Sequence, residues 1–208
     1  MRSDPVGVVP LRAPRLGAAL AFVLALAGCA SPRVPALPEG SGAQAWTGRF
    51  AATWTIVGEP PREERASGRF QVRALGDTAE MEIVSPFGQT LARASARPGH
   101  ATLETADGRA HQAASPQALT ETVLGWRVPI ERLPCWLSGE FAQPGPATAD
   151  REDEVRVVDE GWQVAAGRWT AGRPLRLTLR WPADPAADDT RRVEIRLAVD
   201  ADTEAGAR

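Results

Sequence analysis

Residues 46–56 read WTGRFAATWTI, and every second position of this stretch is apolar or small. Trp46, Phe50 and Trp54 fall in one set, whereas Arg49 falls in the other, more polar set. Successive side chains of a β-strand point to opposite faces, so the two sets lie on opposite sides of the chain. The stretch therefore predicts an antiparallel strand that buries one face and leaves the other in water.

The same period-two pattern recurs through the rest of the chain. It is clearest in residues 66–74, 79–83, 175–181 and 191–199, and further strands are expected near 89–96, 100–105, 154–158 and 162–170. Pro98-Gly99 and Asp107-Gly108 are typical of hairpin turns. Strands with one apolar face need a common interior, so we expect nine or ten antiparallel strands curled around one.

A helical insert interrupts the strands at residues 115–137. Ser115 is a favourable N-cap for a helix that ends at Gly125. Pro129 opens a second short apolar segment, which Pro134 makes irregular. The fold class is therefore mainly β with a helical insert, and we expect the helices to cover the interior of the curled sheet.

Small residues are mixed with aromatic ones on the predicted inward faces. Gly48 and Ala52 flank Phe50, and Gly68 precedes Phe70 by two positions. Small side chains can let a sheet bend, leave room inside it or pack against larger neighbours. Composition does not separate these alternatives, and a filled, dry core is the default expectation from the residues alone.

The N-terminus has the pattern of an export signal. Three arginines, at positions 2, 12 and 15, precede the uncharged apolar run LGAALAFVLALA at residues 16–27. Twelve helical residues span only about 18 Å, which is short of the roughly 20 residues of a membrane-spanning helix. The run ends in Leu26-Ala27-Gly28-Cys29, which resembles the bacterial lipobox. That resemblance implies lipid attachment at Cys29 after removal of residues 1–28.

The alternative is that Cys29 is merely a small residue at an ordinary cleavage site. In lipoprotein families an aspartate after the cysteine typically means retention in the inner membrane, so Ala30 implies sorting to the outer membrane. Removal of residues 1–28 takes away three arginines and one aspartate and moves the formal net charge from −2 to −4. We therefore expect membrane attachment to come from acyl chains and not from the charge of the body.

These features divide the chain into four parts. Residues 1–28 form the signal peptide, and residues 29–43 comprise the lipidated cysteine and a flexible tether rich in Pro, Gly, Ser and Ala. Residues 44–200 form the β domain, and residues 201–208 form a polar tail.

Composition and motifs argue against two broad function classes. Balanced charge is not typical of a nucleic-acid binder, which needs a basic face for phosphate. His100 and His111 lie in short strands or turns, and the chain has no nucleophile-elbow or phosphate-loop motif. Glu80 and Glu82 share a strand face, which is far more typical of a solvated surface than of a catalytic pair. We therefore expect no enzyme, no metal and no cofactor, and a Cys135 thiol that packs as a small apolar residue.

Several short blocks of sequence follow the order and spacing of one family. They are the lipobox, Trp-Thr-Gly-Arg-Phe at 46–50, Ser-Gly-Arg-Phe at 67–70, Ser-Pro-Phe-Gly-Gln at 85–89, Leu-Gly-Trp-Arg-Val-Pro-Ile at 124–130 and Trp-Leu-Ser-Gly at 136–139. Over nearly the whole mature chain, the sequence resembles the LolB family of outer-membrane lipoprotein receptors. The resemblance implies an open, incomplete antiparallel β-barrel whose helices cover a hydrophobic cavity, with no cofactor.

The resemblance also implies a function. Members of that family accept lipoproteins from the periplasmic carrier LolA, hold their acyl chains and place them in the inner leaflet of the outer membrane. The expected partners are LolA, client lipoproteins through their acyl chains, and the outer membrane through the N-terminal lipid. We expect a monomer that does not bind nucleic acid. The expected location is the periplasmic face of the cell outer membrane. The alternative is a structural or assembly-accessory outer-membrane lipoprotein with a filled core and no lipid transfer.

Two sets of residues are expected to carry that function. The family's membrane-contacting loop corresponds to Pro86, Phe87 and Gly88, with Phe87 in place of the usual leucine. From the residues alone Phe87 either protrudes or folds back onto the rim of the barrel, and the resemblance favours protrusion. The cavity lining is expected from the inward series and the helical lid: Trp46, Phe50, Trp54, Ile56, Phe70, Val72, Met81, Ile83, Leu119, Val123, Trp126, Ile130 and Trp136. A one-residue shift in any strand would exchange its set.

Overall fold

Ten antiparallel strands form one sheet in the computed structural model, which describes residues 43–56, 59–124, 126–141, 154–184 and 191–201. The strands are β1 (Gln44–Ile56), β2 (Arg62–Leu75), β3 (Thr78–Val84), β4 (Thr90–Arg97), β5 (His100–Thr105), β6 (Ala110–Ala113), β7 (Val155–Asp159), β8 (Trp162–Thr170), β9 (Arg173–Trp181) and β10 (Val193–Val199). The predicted fold class is thereby confirmed. The signal peptide, Cys29, the loop at 142–153 and the tail after residue 201 lie outside the described residues.

The two ends of the domain meet in the middle of the sheet. The strand order is β6-β5-β4-β3-β2-β1-β10-β9-β8-β7, and β1 pairs with β2 on one side and with β10 on the other. Among the described residues β6 and β7 are the outer strands, so the sheet does not close on itself. This topology is that of the open, incomplete barrel that the sequence predicts.

The β6 strand is the one that the sequence pattern missed. Its four residues, Ala110–Ala113, read AHQA and offer no clear alternation of apolar and polar side chains. Pairing with β5, in which Leu103 lies opposite His111, determines its position instead. The other strands match the predicted segments to within a few residues, and β8 spans the predicted 162–170.

A reciprocal arrangement of aromatic and glycine residues joins β1 to β2. Phe50 lies directly opposite Gly68, and Gly48 lies directly opposite Phe70. A Cβ added to Gly48 would lie 2.8 Å from the Phe70 ring and 2.2 Å from the Ala198 carbonyl oxygen, which real Cβ atoms essentially never approach so closely. At these two positions the small residues are therefore packing partners of aromatic rings, which settles one of the alternatives that composition left open.

Two helices make up the insert. Helix α1 (Pro116–Leu124) begins as predicted, because the Ser115 hydroxyl accepts a 3.2 Å hydrogen bond from the Ala118 N–H. Helix α2 (Leu133–Ser138) has Pro134 in its first turn, where a proline is tolerated, and ends at Gly139 with a φ of 83°. The residues directly after Pro129 form turns and not helix, so α2 begins later than the sequence pattern indicated.

Buried apolar side chains form two clusters on the inner face of the sheet. The larger cluster, cluster A, comprises Trp46, Phe70, Val72, Leu133, Trp136, Leu137, Val157, Trp162, Val164, Leu177, Leu179, Val193 and Leu197. The smaller cluster, cluster B, comprises Ala94, Ala96, Ala101, Leu103, Leu119, Val128 and Ile130. Helix α2 packs against β9 and β2, and α1 packs against β5 and β6, with Leu119 of α1 in the same cluster as the alanines of β4 and β5.

Antiparallel pairing determines which turns share an end of the sheet. Gln44, at the start of β1, lies opposite Ala74 near the end of β2, so the chain enters the domain beside the β2–β3 turn. The β3–β4 turn follows Val84, which lies opposite Arg69 in the middle of β2. The two turns therefore point in opposite directions along the strands. Among the described helices, none has the length and apolarity needed to span a membrane.

Candidate functional site

The predicted lining residues lie on the inner face of the sheet or under the helices, with one exception. Trp46, Phe70, Val72 and Trp136 belong to cluster A, and Leu119 and Ile130 belong to cluster B. A second group is only partly buried and packs against these clusters: Phe50, Trp54, Met81, Ile83, Val123 and Trp126. These side chains belong to the apolar surface that the clusters leave partly open to solvent.

Ile56 is the exception. Its side chain is 43% exposed and belongs to neither cluster. It is the last residue of β1 and lies opposite Arg62, the first residue of β2, where the hairpin extends beyond the end of β3. The period-two pattern assigned Ile56 to the inward face, but the helices do not extend over this end of the hairpin. The expectation that it lies in the interior is therefore wrong.

Met81 and Trp126 lie at the seam between the two clusters, since each packs against both. The Trp126 ring also lies 6.3 Å from the Trp162 ring, at an interplanar angle of 58°. Tilted ring pairs at this distance contribute roughly 0.5–1.5 kcal/mol beyond their burial. The seam is accordingly an apolar line of partly buried side chains between the two helix-covered halves.

A buried carboxylate on β7 holds α2 in place. Asp159 is 8% exposed, and its Oδ2 accepts hydrogen bonds from Arg132 Nη2 at 2.5 Å, Arg132 Nε at 3.1 Å and Trp136 Nε1 at 2.8 Å. The hydrogen bond to Asp159 also raises the pKa of Arg132, which keeps the guanidinium group charged. The sequence pattern gives no sign of this role, because Asp159 ends an ordinary strand and its partners lie more than twenty residues away.

A second polar group joins α1 to the segment before α2. The Thr120 hydroxyl, which is fully buried, accepts a 2.8 Å hydrogen bond from the Val128 N–H and donates one to the Pro116 carbonyl. Gln117 donates a further hydrogen bond to Glu131 Oε1, whereas Oε2 of Glu131 is buried without a hydrogen-bond partner. Burial raises the pKa of the Glu131 carboxyl above its ordinary value of 4.5.

The β3–β4 turn exposes an aromatic side chain. Phe87 is 92% exposed, the largest exposure among the large apolar residues described. The turn beneath it is well defined, because the Ser85 hydroxyl accepts hydrogen bonds from the N–H groups of Phe87 (3.3 Å) and Gln89 (3.1 Å). Gly88 adopts a φ of 83°, which glycine tolerates without strain. Of the two positions that the sequence left open for Phe87, the side chain occupies the protruding one.

The strand that follows the turn is irregular. In the β3–β4 register Ile83 lies opposite Ala92 and Val84 opposite Thr90, so Leu91 is an extra residue. A bulge of this kind bends a strand and redirects the side chains next to it. The Phe87 turn therefore directly follows a bulged part of the β3–β4 ladder, a local feature that periodicity does not indicate.

An open antiparallel sheet, an apolar inner face under two helices and an exposed aromatic residue on a well-ordered turn define the class of incomplete β-barrels with a helical cover. The site consists of an apolar surface together with the hydrogen bonds from Arg132 and Trp136 to Asp159, which we call the polar clamp. A surface of this kind is suited to binding an apolar ligand.

Comparison with known proteins identifies the family within this class. A family model described as outer membrane lipoprotein LolB matches residues 44–201. A protein of Bordetella petrii named outer-membrane lipoprotein LolB is 39% identical over 181 residues, which cover 84% of this chain and 86% of that protein. A protein of the same name from Cupriavidus pinatubonensis is 30% identical over 211 residues, covering 96% of this chain and 95% of that protein. The chain belongs to the LolB family of outer-membrane lipoproteins, which is not a family of enzymes.

Proposed function

We propose that this protein receives lipoproteins from the periplasmic carrier LolA, holds their acyl chains against its apolar inner face and releases them into the inner leaflet of the outer membrane. Lipid attached at Cys29 keeps the protein at the periplasmic face of that membrane. The observation that carries the proposal is the combination of an apolar, partly exposed interior with Phe87, which is 92% exposed on an ordered turn.

The seam between clusters A and B is the proposed position of the acyl chain. Met81 and Trp126 contact both clusters without being fully buried, and Phe50, Trp54 and Ile83 are likewise partly buried. An acyl chain laid along these side chains would remove apolar surface from water on both partners, at roughly 25 cal/mol per Å². Side chains that are apolar, inward and incompletely covered are the ones that gain most from such a ligand.

The proposed role of Phe87 is to contact the membrane during release. Removing a protruding phenylalanine from water stabilises the membrane-bound state by roughly 1.5–3 kcal/mol. The folded core does not depend on this side chain, because almost none of its surface is buried. Transfer itself needs no nucleotide, since a client moves from carrier to receptor to bilayer whenever each successor binds its acyl chains more favourably.

Transfer of a labelled lipoprotein from carrier to receptor to vesicles tests the proposal. The Phe87→Glu variant should still fold and still accept the client, but should deliver it to vesicles much more slowly. Val158→Glu is the matched control, because Val158 is also an exposed apolar residue, at 63%, but lies on β7 away from the turn. Unchanged delivery by a folded Phe87→Glu protein would contradict the proposed role of the turn.

A second candidate function is that of a structural or assembly-accessory lipoprotein with a filled core. It is favoured by the complete burial of Trp136, Leu137 and Leu177 in cluster A, each of which has 0% exposure. Titration with a fluorescent fatty acid separates the two candidates. A saturable site whose affinity falls in a Met81→Asp variant supports lipid transfer, and the absence of a saturable site supports the structural role.

A further inference from the structure

A row of arginines crosses the outer face of the sheet, opposite to the apolar interior. Arg69 on β2 lies directly opposite Arg49 on β1, and Ala198 on β10 lies between Arg49 and Arg176 on β9. Residues directly opposite each other in antiparallel strands share one face. At about 4.8 Å between strands, the row from Arg69 to Arg176 is about 14 Å long.

Much of the charge in this row is uncompensated. Arg69 forms an ion pair with Asp200 at 3.0 Å. Arg49 and Arg176, by contrast, make no hydrogen bond or ion pair with any residue that the structure describes. Like charges directly opposite each other destabilise a sheet, so the Arg49–Arg69 pair lowers the stability of the fold.

Two hollows lie on this outer face, and Arg196 lines both. A hollow of ≈ 500 Å³ is lined by Arg49, Arg176 and Arg196 together with smaller residues that include Ala51, Thr178 and Ala198. Guanidinium groups bind phosphate through paired N–H donors.

The second hollow is a groove of ≈ 750 Å³ on the same face. Its charged lining comprises Arg65, Arg180, Arg192, Arg196, Glu63 and Glu194. Arginines outnumber glutamates by two among the described lining residues; Arg65 forms an ion pair with Glu63, and Arg180 and Arg196 both form ion pairs with Glu194. The outer face of β1, β2, β9 and β10 is therefore basic, although the whole chain has a formal net charge of −2.

The basic row begins beside the exposed aromatic turn. The β3 residue opposite Arg69 is Val84, the last residue of that strand, and Phe87 follows it by three positions. Arg69, and Arg49 opposite it on β1, therefore lie across the ladder from the strand end that carries the Phe87 turn. Exposed aromatic residues beside arginines are suited to the interface between acyl chains and phosphate headgroups.

We propose that the outer face around Arg49, Arg69, Arg176 and Arg196 binds the phosphate groups of anionic phospholipids when Phe87 enters the bilayer. The proposal rests on the proposed function for the orientation of the Phe87 turn toward the membrane. It differs from the expectation, drawn from the net charge, that the charge of the body does not contribute to membrane attachment. The register of four strands concentrates positive charge that the average over the chain conceals.

Vesicle binding by residues 30–208, which contain the compact unit Val34–Arg208, tests the proposal without carrier or client. Sedimentation with phosphatidylcholine vesicles is compared with sedimentation with vesicles that also contain phosphatidylglycerol, at low and high salt. Phosphatidylglycerol should strengthen binding, and salt should weaken it. Arg49→Gln with Arg176→Gln should reduce binding to the anionic vesicles by about fivefold for each arginine and about 25-fold together, and should leave binding to phosphatidylcholine unchanged.

The matched control is Arg97→Gln with Arg127→Gln, which removes the same charge from exposed positions on β4 and after α1. Equal binding to both vesicle types, or an equal loss in this control, would overturn the proposal. Loss of carrier binding with normal vesicle binding in the Arg49 and Arg176 double variant would also overturn it, because the face would then bind an acidic protein. Failure of lipoprotein transfer alone would count against the proposed function and not against headgroup binding.

Discussion

The indole Nε1 of Trp136 donates a 2.8 Å hydrogen bond to Oδ2 of Asp159, which joins helix α2 to strand β7 across 23 residues of sequence. The same oxygen accepts two hydrogen bonds from Arg132. Because Trp136 is fully buried in cluster A, this carboxylate joins the helix to the sheet from within the apolar core. The apolar interior and its cover are thus connected by a polar clamp.

Removal of the clamp should destabilise the fold. Asp159→Ala would leave the partly buried Arg132 charge and the Trp136 N–H without their acceptor, and should lower the free energy of unfolding by about 3 kcal/mol. Urea denaturation followed by tryptophan fluorescence measures the change. Asp107→Ala, which removes an exposed ion pair with Arg109, is the control and should leave the midpoint nearly unchanged. Equal effects of the two substitutions would contradict the assigned role of Asp159.

The reciprocal packing of Phe50 and Gly68 makes a second prediction. A Cβ at position 68 would lie 2.1 Å from the Val84 carbonyl oxygen and 3.0 Å from Phe50 Cε1. Gly68→Ala should therefore cost roughly 1–3 kcal/mol, since backbone on one side and an aromatic ring on the other must move. Ser67→Ala, at the exposed neighbouring position, should have little effect. A Gly68→Ala protein as stable as the native one would show that this contact does not constrain the sheet.

Phe87 should affect membrane binding and not folding. Phe87→Ser exchanges a side chain that is 92% exposed, so the free energy of unfolding should change by less than about 0.5 kcal/mol. Partition into phosphatidylcholine vesicles should fall roughly tenfold or more, because the apolar surface that enters the bilayer is lost. Phe87→Leu should retain most of the binding. Equal partition of the serine and phenylalanine proteins would contradict membrane contact by this turn.

The raised pKa of Glu131 makes a prediction about pH. Between the pKa of the unfolded chain, near 4.5, and the raised pKa of the folded protein, the folded state binds more protons. The free energy of unfolding should therefore fall as pH rises through this window and level off above it. Glu131→Gln removes the ionisation and should flatten that part of the profile. The variant should therefore gain more stability over the wild type at neutral pH than at acidic pH.

Urea unfolding between pH 4 and pH 8 measures the profile, with the range chosen to bracket the ordinary carboxyl value. Glu140→Gln serves as the control, because Glu140 is exposed at the end of α2. A wild-type profile that rises with pH in this window, or one that Glu131→Gln does not change, would show that burial of the Glu131 carboxylate does not affect stability.

Sequence periodicity predicted the strands well because each strand buries one face. The pattern of β1 and β2 placed Trp46, Phe70 and Val72 inward, and all three are buried in cluster A. Periodicity failed at Ile56, which falls in the same alternating set as Trp46 and Trp54 but lies where the hairpin extends beyond the end of β3. It also failed at β6, whose position depends on a partner strand and not on its own pattern.

The candidate site was only partly predictable, because some of its features depend on partners that are distant in sequence. Phe87 could be found from the turn signature and the family blocks, since both are local in sequence. Asp159 and the Arg49–Arg176 row could not, because their meaning depends on partners brought together by strand pairing. A charge count over the whole chain likewise conceals a basic face, because it averages over both sides of the sheet.

By itself, the sequence determined the one-sided strands, the start of helix α1, the turn that bears Phe87 and membership of the family. Each of these depends on residues that are neighbours along the chain or follow a fixed period. Only the tertiary structure decided that Asp159 clamps α2, that glycines face aromatic rings across β1 and β2, and that arginines from four strands form one basic face. Strand register brings these groups together, and register is a property of the folded sheet as a whole.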